Sequence, residues 1–169
     1  GQGIEVYIND KGKFILKPST DLSSETSTDK VCGAFIDIDQ DNDRDLIVGM
    51  GGNEYLNKSI SFVSKFFIND GKGNFSRSTT AFPVNSANIS TIINYDYDAD
   101  GDEDLFVGGR SLPYNYGANP RSYLLQNDGR GNFTDVTKAL AADIESIGMV
   151  TGAVWANVSP GVRFRLSCP

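Results

Sequence analysis

Residues 96–107 read DYDADGDEDLFV, a run in which an aspartate stands at every second position from Asp96 to Asp104. Leu105 and the large apolar residues after it then begin a short hydrophobic stretch. Asp and Gly favour turns, whereas a short apolar stretch bounded by such residues is typical of a buried strand. This part of the chain therefore predicts an acidic turn that leads directly into a strand.

The same pattern occurs 59 residues earlier, where residues 37–48 read DIDQDNDRDLIV. A second motif, Asn-Asp-Gly-x-Gly-Asn-Phe, follows each acidic run at residues 69–75 and 127–133, and a shortened copy stands at residues 9–14. Asn, Asp and Gly accept the positive φ angles of a tight hairpin turn. Self-similarity of this kind indicates a duplicated unit of about 60 residues.

Each unit predicts four short strands. The predicted strands of the first unit are 31–36, 46–50, 65–68 and 74–78, and those of the second are 90–95, 105–109, 122–125 and 132–137. Helix is indicated only at residues 137–145. Four-stranded units at a fixed period favour the blades of a β-propeller or a related β-solenoid. The fold class is therefore all-β, with complete blades at about 31–80 and 88–137.

The two ends of the chain predict half-blades. Residues 1–17 contain only the second hairpin of a unit, and residues 150–167 resemble the first hairpin of one, although in a degenerate form. Propellers need roughly four to eight blades to close. We therefore expect an open propeller segment, or a propeller completed between chains by head-to-tail pairing of the half-blades. The alternative is a piece of a longer propeller, and the lack of an initiating Met favours a processed form or a fragment.

Composition excludes several classes of function. The net charge is −7, but eleven of the 22 acidic residues lie in the two Asp-rich runs, so the rest of the chain has 11 acids and 14 bases. Such a chain has no basic surface for nucleic acid. No apolar stretch reaches the roughly 18 residues of a membrane span. The absence of histidine removes the commonest zinc ligand and leaves metals that prefer oxygen.

The Asp-rich runs themselves predict a metal site. Two carboxylates ~5 Å apart repel by on the order of 1–3 kcal/mol. Calcium takes six to eight oxygen ligands in a flexible cage, whereas magnesium needs a stricter octahedron. The first six positions resemble an EF-hand, but an EF-hand needs Glu at position twelve, where this chain has Val48 and Val107. The EF-hand interpretation therefore fails, and an acidic residue comes instead at position nine.

The pattern Asp-x-Asp-x-Asp-Gly/Asn-x-x-Asp-Leu resembles the calcium hairpin of FG-GAP/VCBS-type repeats, as in the propeller of integrin α subunits. The resemblance implies two calcium sites. It implies side-chain ligands at Asp37, Asp39, Asp41, Asp45, Asp96, Asp98, Asp100 and Asp104, and backbone carbonyl ligands at Asp43 and Asp102. Residues 157–161 occupy the equivalent place in the last half-blade and lack the carboxylates, so no full site is expected there.

Two other interpretations of the Asp-rich runs are less favoured. A solvated acidic loop would not need to occur twice with the same flanking strands. A catalytic carboxylate pair needs two acids in different environments, and five equivalent aspartates do not provide them. We therefore expect no enzyme activity. The expected function is that of a calcium-stabilised adhesion or assembly protein, extracellular or at the cell surface, with copies of itself as partners.

Other functional expectations rest on weaker signals. A lectin-like or protein-binding module would use the loop at residues 110–121, whose aromatics, prolines and two arginines have no counterpart in the first unit. Cys32 and Cys168 either form a disulfide or remain two thiols. Four Asn-x-Ser/Thr triplets permit glycosylation, at Asn57, Asn88, Asn132 and Asn157.

Several aromatic residues are expected to serve packing rather than function. Phe14, Phe75 and Phe133 each follow a hairpin turn at the same position of the repeat. Trp155 stands near the position that Ile36 has in the first unit. Equivalent positions in a repeat normally face the same core, so we expect all four side chains to be buried.

Overall fold

The computed structural model is an all-β structure, as the sequence predicts. It describes residues 2–26, 29–52, 64–80, 82, 87–113, 115 and 117–156. The strands in these residues are β1 Val6–Asp10, β2 Lys13–Lys17, β3 Asp29–Ile36, β4 Asp45–Gly51, β5 Lys65–Asn69, β6 Phe75–Arg77, β7 Asn88–Tyr95, β8 Asp104–Ser111, β9 Tyr123–Asn127 and β10 Phe133–Asp135. They form three antiparallel sheets.

Two of the sheets have four strands each, in the orders β3-β4-β5-β6 and β7-β8-β9-β10. The acidic run of each repeat joins its first strand to its second, because Ile36 pairs with Asp45 in one sheet and Tyr95 pairs with Asp104 in the other. Among the described strands, no sheet closes into a barrel. These sheets are the two predicted blades, here blade 1 (β3–β6) and blade 2 (β7–β10), of an open propeller-like segment.

The largest hydrophobic core lies between the two blades, because β7 packs against β3 and β4. Its buried side chains are Ile36, Ile38, Ile47, Phe66, Phe82, Ile89, Ile92, Leu105, Val107, Tyr123 and Leu125. The rings of Phe66 and Phe133 stack across the junction with their centroids 5.3 Å apart. Each fully buried side chain of this size stabilises the fold by roughly 1.5–3 kcal/mol. The core therefore fixes how the blades, and the acidic loops at their ends, lie relative to each other.

A smaller core lies on the other side of blade 1. There the two-stranded sheet β1-β2 contributes Val6, and the segment after it contributes Leu22. Beside this core, Glu25 is buried and forms an ion pair with Lys65. The predicted N-terminal hairpin is therefore present and packs against blade 1.

The helical elements are short. They are α1 Thr20–Ser24, α2 Thr137–Leu140 and the 3-10 turn Ala142–Ile144. The sequence predicts the last two but not α1, whose N-terminal cap is Ser19. No helix in the described residues is long and apolar enough to cross a membrane.

The expectation that the equivalent phenylalanines are buried is wrong for one of them. Phe75 is buried and Phe133 is partly buried, but 73% of Phe14 is exposed. The reason is that Phe14 lies on a hairpin of only two strands, and no second blade covers it within the described residues. Equivalent sequence positions therefore have equal burial only where a neighbouring blade covers them.

The C-terminal half-blade stays a prediction. Val150 is buried, and its N–H donates to the carbonyl of Gly109 over 2.9 Å. Residues 151–156 contain no assigned strand, and residues 157–169, with Cys168 and Asn157, lie outside the described part. Trp155 is half-buried, with its ring centroid 6.0 Å from that of Tyr95.

The predicted disulfide and glycosylation sites are described only in part. Cys32 is partly buried, and burial raises the pKa of its thiol to about 11, but its predicted partner Cys168 is not described. Asn57 also lies outside the described residues. Asn132 is exposed, whereas Asn88 is buried and donates to Ser111 Oγ over 3.0 Å. Of these last two asparagines, the fold leaves room for a glycan only at Asn132.

Candidate metal centre

Each acidic run folds into a loop that brings three carboxylates together. In loop 1 (residues 37–45) these are Asp37, Asp39 and Asp45, and one carboxylate oxygen from each lies within 4.8 Å of the others. In loop 2 (residues 96–104) the equivalent group is Asp96, Asp98 and Asp104, with the same limit on distance. Both groups consist of predicted side-chain ligands, at the first, third and ninth positions of the loop.

The remaining predicted ligands lie beside these groups. The carboxylate of Asp41 accepts a hydrogen bond from the N–H of Asp43 over 3.1 Å. In loop 2, Asp100 accepts from the N–H of Asp102 over 3.2 Å. The two loops therefore hold all ten predicted residues in matching arrangements, although only six belong to the close groups.

The backbone of both loops turns through the left-handed region. Asn42 has a φ of 69°, and Gly101 has a φ of 101° at the same repeat position. The N–H of Asn42 donates to Asp37 Oδ2 over 3.1 Å, and the N–H of Gly101 donates to Asp96 Oδ2 over 3.2 Å. Asn and Gly tolerate this conformation better than other residues. The turn therefore curls the backbone around the first aspartate of each loop.

The last aspartate of each loop is fully buried and holds the loop to its blade. Asp45 accepts from the N–H of Ile38 over 2.9 Å and from the N–H of Asn69 over 2.8 Å. Asp104 accepts from the N–H of Tyr97 over 3.2 Å and from the N–H of Asn127, the equivalent of Asn69, over 2.9 Å. These bonds connect each acidic loop to the start of the second hairpin in its own blade.

Each loop contains two buried carboxylate oxygens that have no hydrogen-bond partner among the described residues. They are the Oδ1 atoms of Asp37 and Asp43 in loop 1 and of Asp96 and Asp102 in loop 2. A buried acceptor without a partner costs about 1–3 kcal/mol, and more when it is charged. Asp102 is 8% exposed, so water does not relieve this cost. The same unpaired atoms at the same positions of both loops are what a bound cation would satisfy.

Burial also disfavours charge on the last aspartate of each loop and on Asp102. It raises the pKa of Asp45 and of Asp104 to about 6 each. Burial, together with the contact to Asp100, raises the pKa of Asp102 to about 7. A divalent cation would reverse these shifts, because it favours the ionised form. The donor set consists of oxygen alone, which suits a hard cation such as Ca²⁺ or Mg²⁺.

The two loops also contact each other across the blade junction. Glu103 Oε2 accepts from the N–H of Asp37 over 3.2 Å and from the guanidinium of Arg44 over 2.6 Å. Gln40 Nε2 donates to the carbonyl of Gly101 over 3.4 Å. The sequence did not predict these contacts, because Arg44 of loop 1 meets Glu103 of loop 2 only after the two blades have packed together.

The loop predicted to bind a partner has in part a structural role. Arg121 donates to Asp135 over 2.6 Å and to Glu145 over 2.9 Å, and its guanidinium lies 4.3 Å from the ring centre of Tyr123. These contacts fix the end of the loop to blade 2. Arg110, at the start of the loop, is exposed beside a cavity of about 290 Å³.

The comparison with known families covers both acidic loops. Residues 37–107, from the first aspartate of loop 1 into strand β8, match the model of the FG-GAP-like repeat. This segment is therefore similar to FG-GAP-like repeats. The FG-GAP resemblance predicted from the sequence motif is thus confirmed over these residues, which are less than half of the chain. Comparisons with curated proteins and with solved structures found no match.

Proposed function

We propose that this protein is a calcium-stabilised structural or adhesion module that acts outside the cell or at its surface. The observation that carries the proposal is the set of four buried, unpaired carboxylate oxygens, two at the same positions of each loop. The FG-GAP-like repeat, which is a structural type of repeat, supports it. Calcium is preferred to magnesium because a flexible loop with many carboxylates suits its larger and less regular coordination shell.

The ten aspartates would divide the coordination between them. The close groups, with Asp37, Asp39 and Asp45 in loop 1 and Asp96, Asp98 and Asp104 in loop 2, would give side-chain oxygens. Asp41 and Asp100 would add a carboxylate each. The resemblance assigns backbone carbonyls to Asp43 and Asp102, and their buried Oδ1 atoms offer a further donor at the same residues. The bound ion would supply positive charge that offsets the repulsion within each loop.

The expected stabilisation follows from mass action. Extracellular calcium modules bind with Kd values of about 10⁻⁴–10⁻³ M. At about 1 mM free calcium, a ligand that binds only the folded state then adds about 0.4–1.4 kcal/mol per site. The free energy of unfolding should therefore rise with calcium at extracellular concentrations and change little at cytosolic ones.

The proposal includes no catalytic role. The carboxylates of each loop would be neutralised by one ion, so they do not form an acid and a base with separated pKa values. The chain also has no histidine to serve as a general base. The loops thus support binding and stabilisation rather than chemistry.

A thermal melt in EDTA followed by addition of calcium tests the proposal. The melting temperature should rise as calcium is added, and isothermal titration calorimetry should find two calcium ions per chain. Magnesium at the same concentration should give a smaller shift. Equal melting temperatures in EDTA and in 10 mM calcium, with no heat of binding, would refute the proposal.

The proposed partner is a second copy of this chain, bound head to tail. A groove of about 630 Å³ lies between the β1-β2 sheet and blade 1, and exposed apolar side chains line it. These side chains are Tyr7, Ile8, Ile15, Leu16 and Phe35. Lys17, Arg44 and Lys72 also line the groove and give it positive charge. Exposed apolar surface that is rimmed by charge is typical of an interaction site.

Loop 2 has chemistry complementary to this groove. Its aspartates are acidic, and Tyr95 beside the loop is 45% exposed. Within this chain, the second hairpin of blade 2 covers loop 1, with Gly131 placed against Ile38. The equivalent hairpin of blade 1, residues 69–73, lines the groove. Loop 2 of another copy is therefore the element proposed to occupy it.

Light scattering after size-exclusion chromatography tests this contact. The chain should self-associate, and Leu16→Asp in the groove should give monomers. Leu140→Asp is the matched control, because Leu140 is also exposed but lies on α2 and not in the groove. A monomer at all concentrations, with and without calcium, would refute self-association and leave the calcium proposal intact.

A further inference from the structure

A continuous chain of hydrogen bonds joins the buried aspartate of loop 2 to the buried aspartate of loop 1. Asp104 Oδ1 accepts from the N–H of Asn127 over 2.9 Å. The side chain of Asn127 donates through Nδ2 to the carbonyl of Ile38 over 3.0 Å. The N–H of Ile38 in turn donates to Asp45 Oδ2 over 2.9 Å. Asn127 is 3% exposed, so this link between the blades is shielded from water.

Within the part of the chain that the structure describes, the matching residue of blade 1 makes no such link. Asn69 Nδ2 donates to the carbonyl of Arg44, which belongs to its own loop. Both asparagines otherwise have the same role in their hairpin turns, where Asn69 Oδ1 accepts from the N–H of Asp70 and Asn127 Oδ1 from that of Asp128. The bond across the junction is therefore what distinguishes Asn127 from Asn69.

We propose that the two loops bind divalent cations with positive cooperativity, and that the side-chain amide of Asn127 is the positioning group that couples them. The inference rests on the proposed function. With loop 2 occupied, the carboxylate of Asp104 would be held in place, and with it the N–H of Asn127 that donates to it. The Asn127 amide would then hold the carbonyl of Ile38 in place, and with it the N–H that orients Asp45 in loop 1.

A second contact reinforces the coupling. Glu103, next to Asp104, accepts from the N–H of Asp37, which is the first aspartate of loop 1. Glu103 also pairs with Arg44 of the same loop. Ordering of loop 2 around a cation would therefore fix both the first and the last aspartate of loop 1.

Electrostatics between the loops opposes this effect. A cation in one loop lowers the negative potential at the other and so weakens the second binding event. At physiological salt, interactions between exposed charges fall off over about 8 Å. The hydrogen bonds through Asn127 and Ile38 are buried and are not screened in this way. We therefore expect the favourable coupling through these hydrogen bonds to exceed the repulsion between the two cations at physiological salt.

Terbium, used in place of calcium, allows loop 2 to be observed separately. Its luminescence is sensitised by a tyrosine beside the bound ion, and loop 2 contains Tyr97 where loop 1 contains Ile38. Tyr97 lies between the proposed ligands Asp96 and Asp98, and its N–H donates to Asp104 over 3.2 Å, so this tyrosine belongs to the loop that would hold the ion. The luminescence therefore reports the occupancy of loop 2.

The experiment compares terbium binding at loop 2 in the full chain, with loop 1 either intact or disabled by Asp39→Asn and Asp41→Asn. Both of these aspartates are exposed, so the double substitution should not affect folding. Couplings between sites typically change affinity by about 5- to 150-fold. We expect loop 2 to bind terbium at least about five-fold more weakly when loop 1 is disabled.

The matched pair of asparagines then tests the link. With Asn127→Ala, disabling loop 1 should change the affinity of loop 2 by clearly less than five-fold, because the backbone N–H to Asp104 remains but the bond to Ile38 is lost. With Asn69→Ala, the five-fold effect should persist. Glu103→Gln is the substitute test in case Asn127→Ala prevents folding, because the side chain of Glu103 is more exposed. It should also reduce the change in loop 2 affinity that follows when loop 1 is disabled.

The outcomes separate the two proposals. Equal affinity of loop 2 with loop 1 intact or disabled would overturn the coupling, as would an effect that survives in both the Asn127→Ala and the Glu103→Gln chains. Tighter binding after loop 1 is disabled would show that repulsion between the cations prevails, and would also overturn it. No binding of terbium or calcium by the unmodified chain would refute the proposed function itself.

Discussion

Loops 1 and 2 have nearly the same internal geometry but different surroundings. In each loop the first aspartate accepts from the sixth residue, the fifth accepts from the seventh, and the ninth is buried and holds two N–H groups. Loop 1, however, lies against the second hairpin of the next blade, where Gly131 meets Ile38. The local motif therefore determines the cage, and the neighbouring blade determines what surrounds it.

One substitution between the repeats illustrates this division. Arg44 and Glu103 occupy the same position of the motif but have opposite charges. When blade 2 packs beside blade 1, these two positions meet and form an ion pair over 2.6 Å. An exact repeat would have placed two like charges together. The difference between the repeats thus stabilises the junction without changing either cage.

The largest expected effect comes from removing the buried aspartate of one loop. Asp104→Asn should abolish calcium binding at loop 2 and destabilise the fold by about 1–3 kcal/mol, because an amide group would face the N–H of Tyr97 or Asn127. Asp45→Asn should do the same at loop 1. Calorimetry should find one calcium ion per chain in place of two. Asp143→Asn, at an exposed acid outside the loops, should retain both.

A second prediction distinguishes the two hairpin turns that face the loops. An added Cβ at Gly129 would lie 2.9 Å from Asp102 Oδ2 and 3.1 Å from the amide of Gln40 in loop 1, whereas at Gly71 it would lie 3.3 Å from Asp43 Oδ2 alone. Both residues have positive φ, which costs a non-glycine residue about 1–2 kcal/mol. Gly129→Ala should therefore lower the free energy of urea unfolding more than Gly71→Ala does.

Gly12→Ala provides the control for this pair. Gly12 also has a positive φ, of 91°, but an added Cβ there would meet nothing within 4 Å. Its substitution should therefore measure the cost of backbone strain alone. If Gly129→Ala were no more destabilising than Gly12→Ala, the close fit of this hairpin over the two loops would be disproved.

The sequence predicts most of what lies within one repeat. The alternation of aspartates, the Asn-Asp-Gly turns and the apolar runs indicate the strand order and the cage, because these features depend on residues close together in the chain. The cap at Ser19 is also a local signal, and it could have identified α1, which we did not predict. The individual hydrogen bonds of the cage, such as that from the N–H of Asn69 to Asp45, could be identified only from the structure.

What lies between repeats could not be predicted in the same way. Phe14 matches Phe75 and Phe133 in sequence, yet its exposure depends on whether another blade covers it. Asn127 and Asn69 are likewise equivalent in sequence, and only the packing of blade 2 against loop 1 gives Asn127 its bond to Ile38. Periodicity contains no information about which neighbour a repeat meets.

A third prediction tests the charge difference at the junction. Arg44→Gln and Glu103→Gln, singly and together, form a double-mutant cycle. Because the two side chains are 57% and 28% exposed, their coupling should be about 0.2–1 kcal/mol and should decrease in high salt. Urea unfolding at low and high salt measures it. A coupling of zero at low salt would show that the pair does not stabilise the junction.

The smallest expected effect concerns the turns that follow the loops. Hydrogen bonds from the side chain and backbone of Asn74, and from the N–H of Lys72, lower the pKa of Asp70 to about 2. Asn132 lowers the pKa of Asp128 in the same way. A carboxylate whose pKa is lower in the folded state stabilises the fold above its unfolded pKa of about 3.9. That contribution is lost as the pH falls through about 2.

Titration of the carboxyl carbons by NMR should therefore place both residues below the usual range for aspartate. In acid melts, the difference between the unmodified chain and Asp70→Asn should shrink as the pH falls from about 4 to about 2. Because Asp70 is not a ligand of either loop, the same result is expected in EDTA and in calcium. A dependence on calcium would mean that cation binding in loop 1 changes the hydrogen bonds of the turn at Asp70. The conclusion that each loop binds its cation independently of the turn that follows it would then be incorrect.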